Sequence, residues 1–180
     1  MKFLILISLV FLLGSTILSA QELATKVPDL AQLQKMTARF APTELKVDIG
    51  NLSEGDRKAL AKLIEAARLI DPIFMQQYWS GDLALYAKLQ KDTSPLGKAR
   101  LHYFWINKGP WSELDASTAF IPGVPEHKLP GANFYPESMT KEQFESWVKT
   151  LPEAEQKQAT GFFTVIRSDG KNGFKIVPYS

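Results

Sequence analysis

The chain has 180 residues, of which 45% are hydrophobic and 22% are charged, and its formal net charge at pH 7 is +2. This composition is typical of a globular protein, and the near-neutral charge without a clustered basic face argues against a nucleic-acid partner. Because the sequence contains no cysteine, it excludes a disulfide framework, a thiolate nucleophile and a thiolate metal ligand.

The first twenty residues predict a secretory signal peptide. Lys2 precedes an apolar run from Phe3 to Leu13, and the small residues Ser19 and Ala20 precede the expected cleavage site. A transmembrane helix needs about 20 apolar residues, so this run is too short to be a membrane anchor. We therefore expect residues 1–20 to be removed. Residues 21–180 would then be periplasmic or secreted, with no membrane attachment after cleavage.

The mature chain begins with a short helix followed by an alternating segment. Apolar positions between Leu30 and Phe40 predict a helix that ends before Pro42. From Glu44 to Ile49, apolar and charged residues alternate, which indicates a half-buried strand or an extended arm.

Three further helices are predicted before residue 108. The most amphipathic one follows the capping residue Ser53, and Asp71-Pro72 should bend or split it because proline disfavours helical geometry in its predecessor. Gly81 marks its end, and Asp82 is expected to cap a short helix. Ser94-Pro95 then opens another, with serine at the N-cap and proline at the first helical position.

A segment rich in proline and glycine, residues 107–138, separates these helices from the C-terminal part. Proline removes a backbone donor and glycine favours turns, so the segment cannot be helical. It also carries the aromatic residues Trp111, Phe120, Phe134 and Tyr135, which are too apolar for a flexible linker. Long irregular loops are usually functional or disordered, and the aromatic content favours an ordered, packed loop.

The C-terminal part predicts one helix and a β-hairpin. Thr140 and Gln143 have the spacing of a capping box, and the strands at 162–167 and 174–177 flank a turn containing Gly170 and Gly173. Both hairpin faces are apolar, and an isolated hairpin is marginally stable, so we expect a longer polypeptide or a partner to supply further strands. The fold class is α+β, mainly helical, with a long ordered loop: an incomplete domain.

No self-contained catalytic or metal site is apparent. His102 and His127 lack the short spacing of a metal site, and the pair Glu142 and Glu145 is typical of a solvated helix face. The best candidates for substrate binding lie on the loop: Asn107, Trp111, Asn133 and Tyr135. Rings and amides on an ordered loop can stack on and hydrogen-bond to a ligand. Alternatively, the rings fill the space between helices.

Several blocks of the sequence resemble bacterial proteins related to dipeptidyl peptidase III. They run in the same order from residue 39 to residue 180. They read RFAPTELKVD (39–48), LSEGDRKAL (52–60), NKGPW (107–111), GANFYP (131–136), MTKE (139–142), TVIR (164–167) and VPYS (177–180).

The resemblance implies a two-lobed zinc exopeptidase that removes dipeptides from peptide N-termini. The zinc motif of that family, His-Glu-x-x-x-His, is absent here, because neither histidine is followed directly by a glutamate. The resemblance therefore covers an N-terminal portion, which would form a lobe and one wall of the cleft and whose strands would join a small β-structure. Its expected partners are a peptide substrate and the remainder of its own polypeptide, and zinc would belong to the full-length parent. The alternative is a non-catalytic exported binding module.

Overall fold

The computed structural model describes residues 27–179, so the predicted signal peptide at residues 1–20 lies outside the described part of the chain. Within that part the helices are α1 (Leu30–Thr37), α2 (Glu54–Arg68), α3 (Ile70–Tyr78), α4 (Asp82–Leu89), α5 (Pro95–Asn107), α6 (Lys141–Val148) and α7 (Glu153–Ala159). The strands are β1 (Trp111–Ser112), β2 (Thr118–Ala119), β3 (Thr164–Ser168) and β4 (Phe174–Pro178), and a 3₁₀ helix spans Glu113–Asp115. These elements confirm the predicted α+β class.

Side-chain caps determine where three of the predicted helices begin. The side chains of Ser53, Ser94 and Thr140 each accept a hydrogen bond from the backbone N–H three residues further along the chain. Such bonds satisfy donors that have no partner inside a helix. Asp82 was expected to act in the same way, but Gly81 occupies the N-cap of α4 and Asp82 is the first helical residue.

The break between α2 and α3 lies earlier than the proline predicts. Leu69 is both the C-cap of α2 and the N-cap of α3. Pro72 is therefore in the first turn of α3, where a backbone N–H has no partner within the helix and its absence is tolerated. Because the break is at Leu69, Pro72 falls within the first turn of α3.

The main core lies between α1, α3, α4 and α5, with residues from the proline-rich loop added to it. Its buried members are Leu33, Met75, Leu89, Tyr103, Phe104, Phe120 and Ile121. Tyr103 meets Phe120 edge to face, with ring centroids 4.6 Å apart. Because Phe120 and Ile121 come from the loop, the loop is a structural part of the core.

The segment at 44–49 does not form a strand. Leu45 is 93% exposed and Val47 is 81% exposed, and no described residue pairs with this segment as a β-strand. Alternation specifies which side chains share a face, but a strand also needs a neighbour to satisfy its backbone groups. The segment is therefore an arm, the other alternative that the sequence allowed.

Much of the apolar surface of α2 and α3 is exposed. None of the residues of α2 is buried. We name the exposed apolar residues of these helices and their junction the apolar band: Leu63, Ile64, Leu69, Ile70, Ile73 and Phe74. Contiguous apolar patches are uncommon on soluble proteins and mark interaction surfaces. No helix within residues 27–179 has the length and apolar content needed to cross a membrane.

The hairpin β3–β4 is antiparallel, with Val165 opposite Val177 and Ile166 opposite Ile176. The backbone N–H of Ile166 donates a 2.8 Å hydrogen bond to the carbonyl of Phe134, so the loop is attached directly to β3. Both Val165 and Ile166 are buried. The loop, α7 and α3 therefore cover part of both hairpin faces, whereas Phe162 and Phe163 at the start of the hairpin are 93% and 82% exposed.

Substitutions at two glycines are expected to change stability in opposite directions. A Cβ at Gly109 would lie 2.5 Å from the ring of Tyr78, which is buried and cannot easily move, so Gly109→Ala should destabilise by roughly 1–3 kcal/mol. Gly55 lies in the first turn of α2, where an added Cβ would meet only the Ser53 hydroxyl, at an ordinary contact distance of 3.7 Å, so Gly55→Ala should stabilise by up to ~1 kcal/mol. Thermal unfolding of both variants tests this, and equal melting temperatures would contradict it.

Candidate substrate cleft

Trp111, one of the predicted substrate-binding residues, is fully buried where the loop leaves α5. Its ring centroid lies 5.8 Å from that of Tyr78 and 5.4 Å from that of Trp79. Its indole N–H donates a 2.8 Å hydrogen bond to the carbonyl of Pro125. In this arrangement the ring attaches the loop to the end of α3.

Asn107 lies at the end of α5. Its side-chain amide donates a 2.9 Å hydrogen bond to the carbonyl of Tyr103, one turn earlier in the same helix. The next residue, Lys108, has a positive φ of 55° and ends the helix. Its ammonium group lies 2.9 Å from the Asp71 carboxylate and 3.1 Å from the centre of the Trp105 ring. The Asn107 side chain is therefore hydrogen-bonded within the last turn of α5.

A polar network connects α1 to the loop. The Arg39 guanidinium donates to both carboxylate oxygens of Asp115 and to the hydroxyl of Tyr103. That hydroxyl lies 2.8 Å from the hydroxyl of the buried Ser112. The hydrogen bonds from Arg39 lower the pKa of Asp115. A forked arginine–carboxylate pair fixes both distance and orientation, so it sets the position of the 3₁₀ helix.

A second network lies beside Trp111. The Tyr78 hydroxyl donates a 2.9 Å hydrogen bond to Glu113, and Lys128 approaches the same carboxylate oxygen at 3.1 Å. The hydrogen bond from Tyr78, followed by that from Lys128, lowers the pKa of Glu113. Burial, together with the bond to Glu113, raises the pKa of Tyr78. Tyr78 consequently remains a neutral hydrogen-bond donor at physiological pH.

Asp82 is fully buried, and neither of its carboxylate oxygens has a hydrogen-bond partner among the described residues. Burial without a compensating donor disfavours the charged form and raises the pKa of Asp82 to about 7. Asp82 lies close to Tyr78 and to Gly109. Because Gly109 has no side chain, there is space for the Asp82 carboxylate and the Tyr78 ring beside it.

Asn133 connects three parts of the fold. Its side-chain amide donates to the carbonyl of Gln76 at 2.6 Å, and its backbone N–H donates to the carbonyl of Gln77 at 2.9 Å. Both carbonyls belong to the last turn of α3, which has no partners for them inside the helix. The carbonyl of Asn133 in turn accepts a 2.9 Å hydrogen bond from Arg167 on β3. We call this arrangement the Asn133 clasp.

A cleft of about 470 Å³ opens beside the clasp, between α3 and the hairpin. Its polar lining consists of Gln76, Gln77, Asn133, Arg167 and Tyr179. This volume is within the range of roughly 300–1,000 Å³ that is usual for small-molecule and peptide-sized sites.

Tyr135 lies on the other side of the loop. It contributes to two smaller pockets, of about 210 and 260 Å³, and its ring meets Phe144 edge to face with centroids 5.1 Å apart. Of the four predicted residues, Asn133 and Tyr135 therefore line open pockets. Asn107 and Trp111 lie at the end of α5 and in the core. Their assignment to substrate binding stays a prediction.

The sequence analysis did not identify Gln76, Gln77, Arg167 and Tyr179. Arg167 had a detectable signal, because it interrupts an apolar strand on the same face as Val165. The two glutamines had none, because adjacent polar residues near the end of an amphipathic helix are typical of a solvated face.

The described residues do not provide a metal site. Within residues 27–179, no group of three or more histidine, aspartate or glutamate side chains could hold a metal ion. The donors present do not fit a zinc site. No zinc-dependent step can be assigned to this part of the chain.

Comparisons with known proteins give a consistent structural match. The structure of dipeptidyl-peptidase III from Corallococcus sp. strain EGB superposes with a TM-score of 0.78 and 52% identity, covering 85% of this chain and 28% of that one. The structure of DPP III from Caldithrix abyssi superposes with a TM-score of 0.73 and 41% identity, covering 81% and 27%. The chain is a dipeptidyl-peptidase III-like N-terminal portion.

Two further results complete the comparison. No family model matches the sequence. Among curated proteins, Nudix hydrolase 3 from Arabidopsis thaliana is 38% identical over 163 residues, covering 75% of this chain and 21% of that protein. Most of that protein lies outside the match, and its name differs from those of the two solved structures. The dipeptidyl-peptidase III-like chain spans just over a quarter of the solved structures that it matches.

The raised pKa of Asp82 predicts a specific pH dependence of stability. Between pH 3.8, the ordinary value, and about 7, the folded state holds one more proton than the unfolded state, so stability falls as pH rises through this window. The slope attributable to Asp82 is at most about 1.4 kcal/mol per pH unit.

Asp82→Asn removes that titration. The variant should therefore gain stability relative to the unmodified chain as pH rises, up to a plateau above pH 7. Urea unfolding of both proteins across this range measures the difference. A constant difference at every pH would show that Asp82 does not titrate as expected.

Loss of the Asn133 side-chain donor should weaken the clasp. Asn133→Asp keeps the shape of the side chain but places a carboxylate against the carbonyl of Gln76, so we expect a destabilisation of about 1–3 kcal/mol. The matched control is Asn51→Asp at an exposed position, which should change stability by less than about 0.5 kcal/mol. Chemical denaturation measures both, and equal effects would contradict a role for the clasp.

Proposed function

We propose that this chain forms one lobe and one wall of the substrate cleft of an exported, zinc-dependent dipeptidyl peptidase that releases dipeptides from peptide N-termini. The observation that carries this proposal is the 52% identity with a dipeptidyl-peptidase III structure over 85% of the chain. The cleft between α3 and the hairpin, lined by amide and guanidinium groups, supports a role in binding peptides.

In this proposal the four loop residues have two kinds of role. Asn133 and Tyr135 line open pockets and would contact the peptide. Asn107 and Trp111 are engaged in the helix end and the core, so they would act on the peptide by holding the loop that presents Asn133. Aromatic burial on this scale is a strong source of rigidity.

The remainder of a longer polypeptide would provide the zinc site and cover the apolar band. The band consists of six large apolar residues on adjacent helices, each at least 43% exposed. Burial of apolar surface contributes about 25 cal/mol per Å², so a second lobe packed on the band would be favoured. Export rests on the sequence pattern of residues 1–20, which implies a periplasmic or secreted enzyme.

A non-catalytic exported binding module is the second candidate. The burial of Val165 and Ile166, on opposite faces of the hairpin, favours this alternative, because this chain itself covers part of both faces. In that case the cleft at Arg167 would bind its ligand without cleavage.

If the zinc site lies in another part of a longer polypeptide, residues 21–180 alone should release no dipeptide from a hexapeptide, with or without added zinc. The reason is that no group of side chains in the described residues fits the metal. Chromatographic detection of released dipeptides tests this, with the Corallococcus dipeptidyl-peptidase III as a positive control in the same assay. Release that a chelator abolishes would contradict the absence of a zinc site from this chain.

Sedimentation and thermal unfolding of the same preparation separate the two candidates. A lobe that lacks its covering partner should bind a hydrophobic dye and self-associate through the apolar band. A complete module should remain monomeric and unfold cooperatively. Replacing Leu63 and Ile73 of the band with serine should reduce dye binding in the first case and leave it low in both proteins in the second.

A further inference from the structure

Two cations, Arg167 and Lys175, lie side by side on the hairpin. Arg167 and Lys175 are directly opposite each other in the β3–β4 register, so their side chains share one face of the sheet. Neither forms an ion pair within residues 27–179, although Asp169 in the turn exerts a favourable electrostatic effect on Lys175. Like charges placed directly opposite each other destabilise a sheet, and a bound anion would relieve this.

Arg167 is held in a fixed orientation. Its Nη1 donates a 2.9 Å hydrogen bond to the carbonyl of Ile166, and its Nη2 donates a 2.9 Å bond to the carbonyl of Asn133. Nη2 also lies 3.4 Å from the side-chain oxygen of Asn133. A guanidinium carries five N–H donors, so at least two remain for a ligand. Because the group is already oriented, binding would require little further loss of side-chain entropy.

The groups around Arg167 suit a peptide better than a simple ion. The side-chain amides of Gln76 and Gln77 and the hydroxyl of Tyr179 line the same cleft and make no hydrogen bond with described residues. An amide side chain both donates and accepts, as a peptide backbone requires. Ile73 and Val177 supply an apolar wall.

The end of α3 does not oppose an anion strongly. A helix C-terminus carries a partial negative charge from its unsatisfied carbonyls. Here the carbonyls of Gln76 and Gln77 accept hydrogen bonds from Asn133, so two of these groups are directed at the clasp.

We propose that this cleft binds the carboxylate of a short peptide, with Arg167 as the anion partner and the amides of Gln76 and Gln77 as partners of the peptide backbone. The inference rests on the proposed function only in taking a peptide as the ligand. It requires no catalysis, so binding alone tests it, and an inactive chain that binds would support this inference whatever the outcome for the peptidase.

The test is a titration of the ¹⁵N-labelled mature chain, followed by NMR, with three probes. Acetyl-dialanine has a peptide and a carboxylate, its C-terminal amide lacks the carboxylate, and acetate lacks the peptide. We expect acetyl-dialanine to bind at least about tenfold more tightly than either other probe and to shift the resonances of Asn133 and Arg167. If the C-terminal amide bound as tightly as acetyl-dialanine, the cleft would not recognise a carboxylate. If acetate bound as tightly as acetyl-dialanine, the cleft would not recognise a peptide.

Two variants and a matched control assign the effect to Arg167. Arg167→Gln should abolish the preference for the carboxylate. Arg167→Lys should keep only part of it, because lysine lacks the forked geometry. Lys171→Gln removes the same charge at the exposed turn of the same hairpin and should leave the preference unchanged. If Arg167→Gln does not fold, the three probes on the unmodified chain decide, and no saturable binding of acetyl-dialanine there would overturn the proposal.

Discussion

The last turn of α3 is the constraint on which the arrangement of the other elements depends. A helix end leaves carbonyl groups without partners, and their burial is unfavourable unless another segment supplies donors. Asn133 supplies two donors, to Gln76 and Gln77, while Trp111 packs against Tyr78 and Trp79 in the same turn and the next residue. Two points of a long loop, 22 residues apart in sequence, are thereby fixed to one helix end. Because Arg167 and Ile166 donate to the loop at Asn133 and Phe134, the hairpin takes its position from the same turn.

The distribution of apolar surface shows which parts of the hairpin this chain covers and which parts it leaves exposed. Alternation in a short strand assigns residues to two faces, but it does not reveal whether loops nearby cover them. The loop and α7 shelter Ile166, and Val165 is buried on the face that looks toward α3. Two apolar surfaces of the described residues lack cover: Phe162 and Phe163 at the start of the hairpin, which are 93% and 82% exposed, and the apolar band on α2 and α3. Both surfaces could be buried in a larger assembly.

Capping residues in the sequence were sufficient to predict where helices begin. Contacts between residues far apart in the sequence could not be predicted in this way. Ser53, Ser94 and Thr140 could be predicted as caps because the donor and the acceptor lie three residues apart. The order of the loop followed from its aromatic content. The clasp could not be predicted, since Asn133 binds backbone carbonyls 56 and 57 residues away, and backbone groups carry no residue identity. Asp82 was read as a cap, which fits an aspartate before a helix, whereas its burial depends on Gly109 and Tyr78.

The clasp and the cleft share Arg167, so a ligand bound in the cleft would be energetically coupled to the end of α3. An anion bound to the remaining N–H groups of Arg167 would draw the guanidinium toward the cleft, and the bond to the carbonyl of Asn133 would respond. That carbonyl belongs to the residue whose amide groups satisfy Gln76 and Gln77. A ligand that preserves all three contacts stabilises the loop, and one that pulls Arg167 away loosens it. Coupling of this kind needs only differential binding to two arrangements of the same groups, so a site in this cleft can report on the loop without any domain movement.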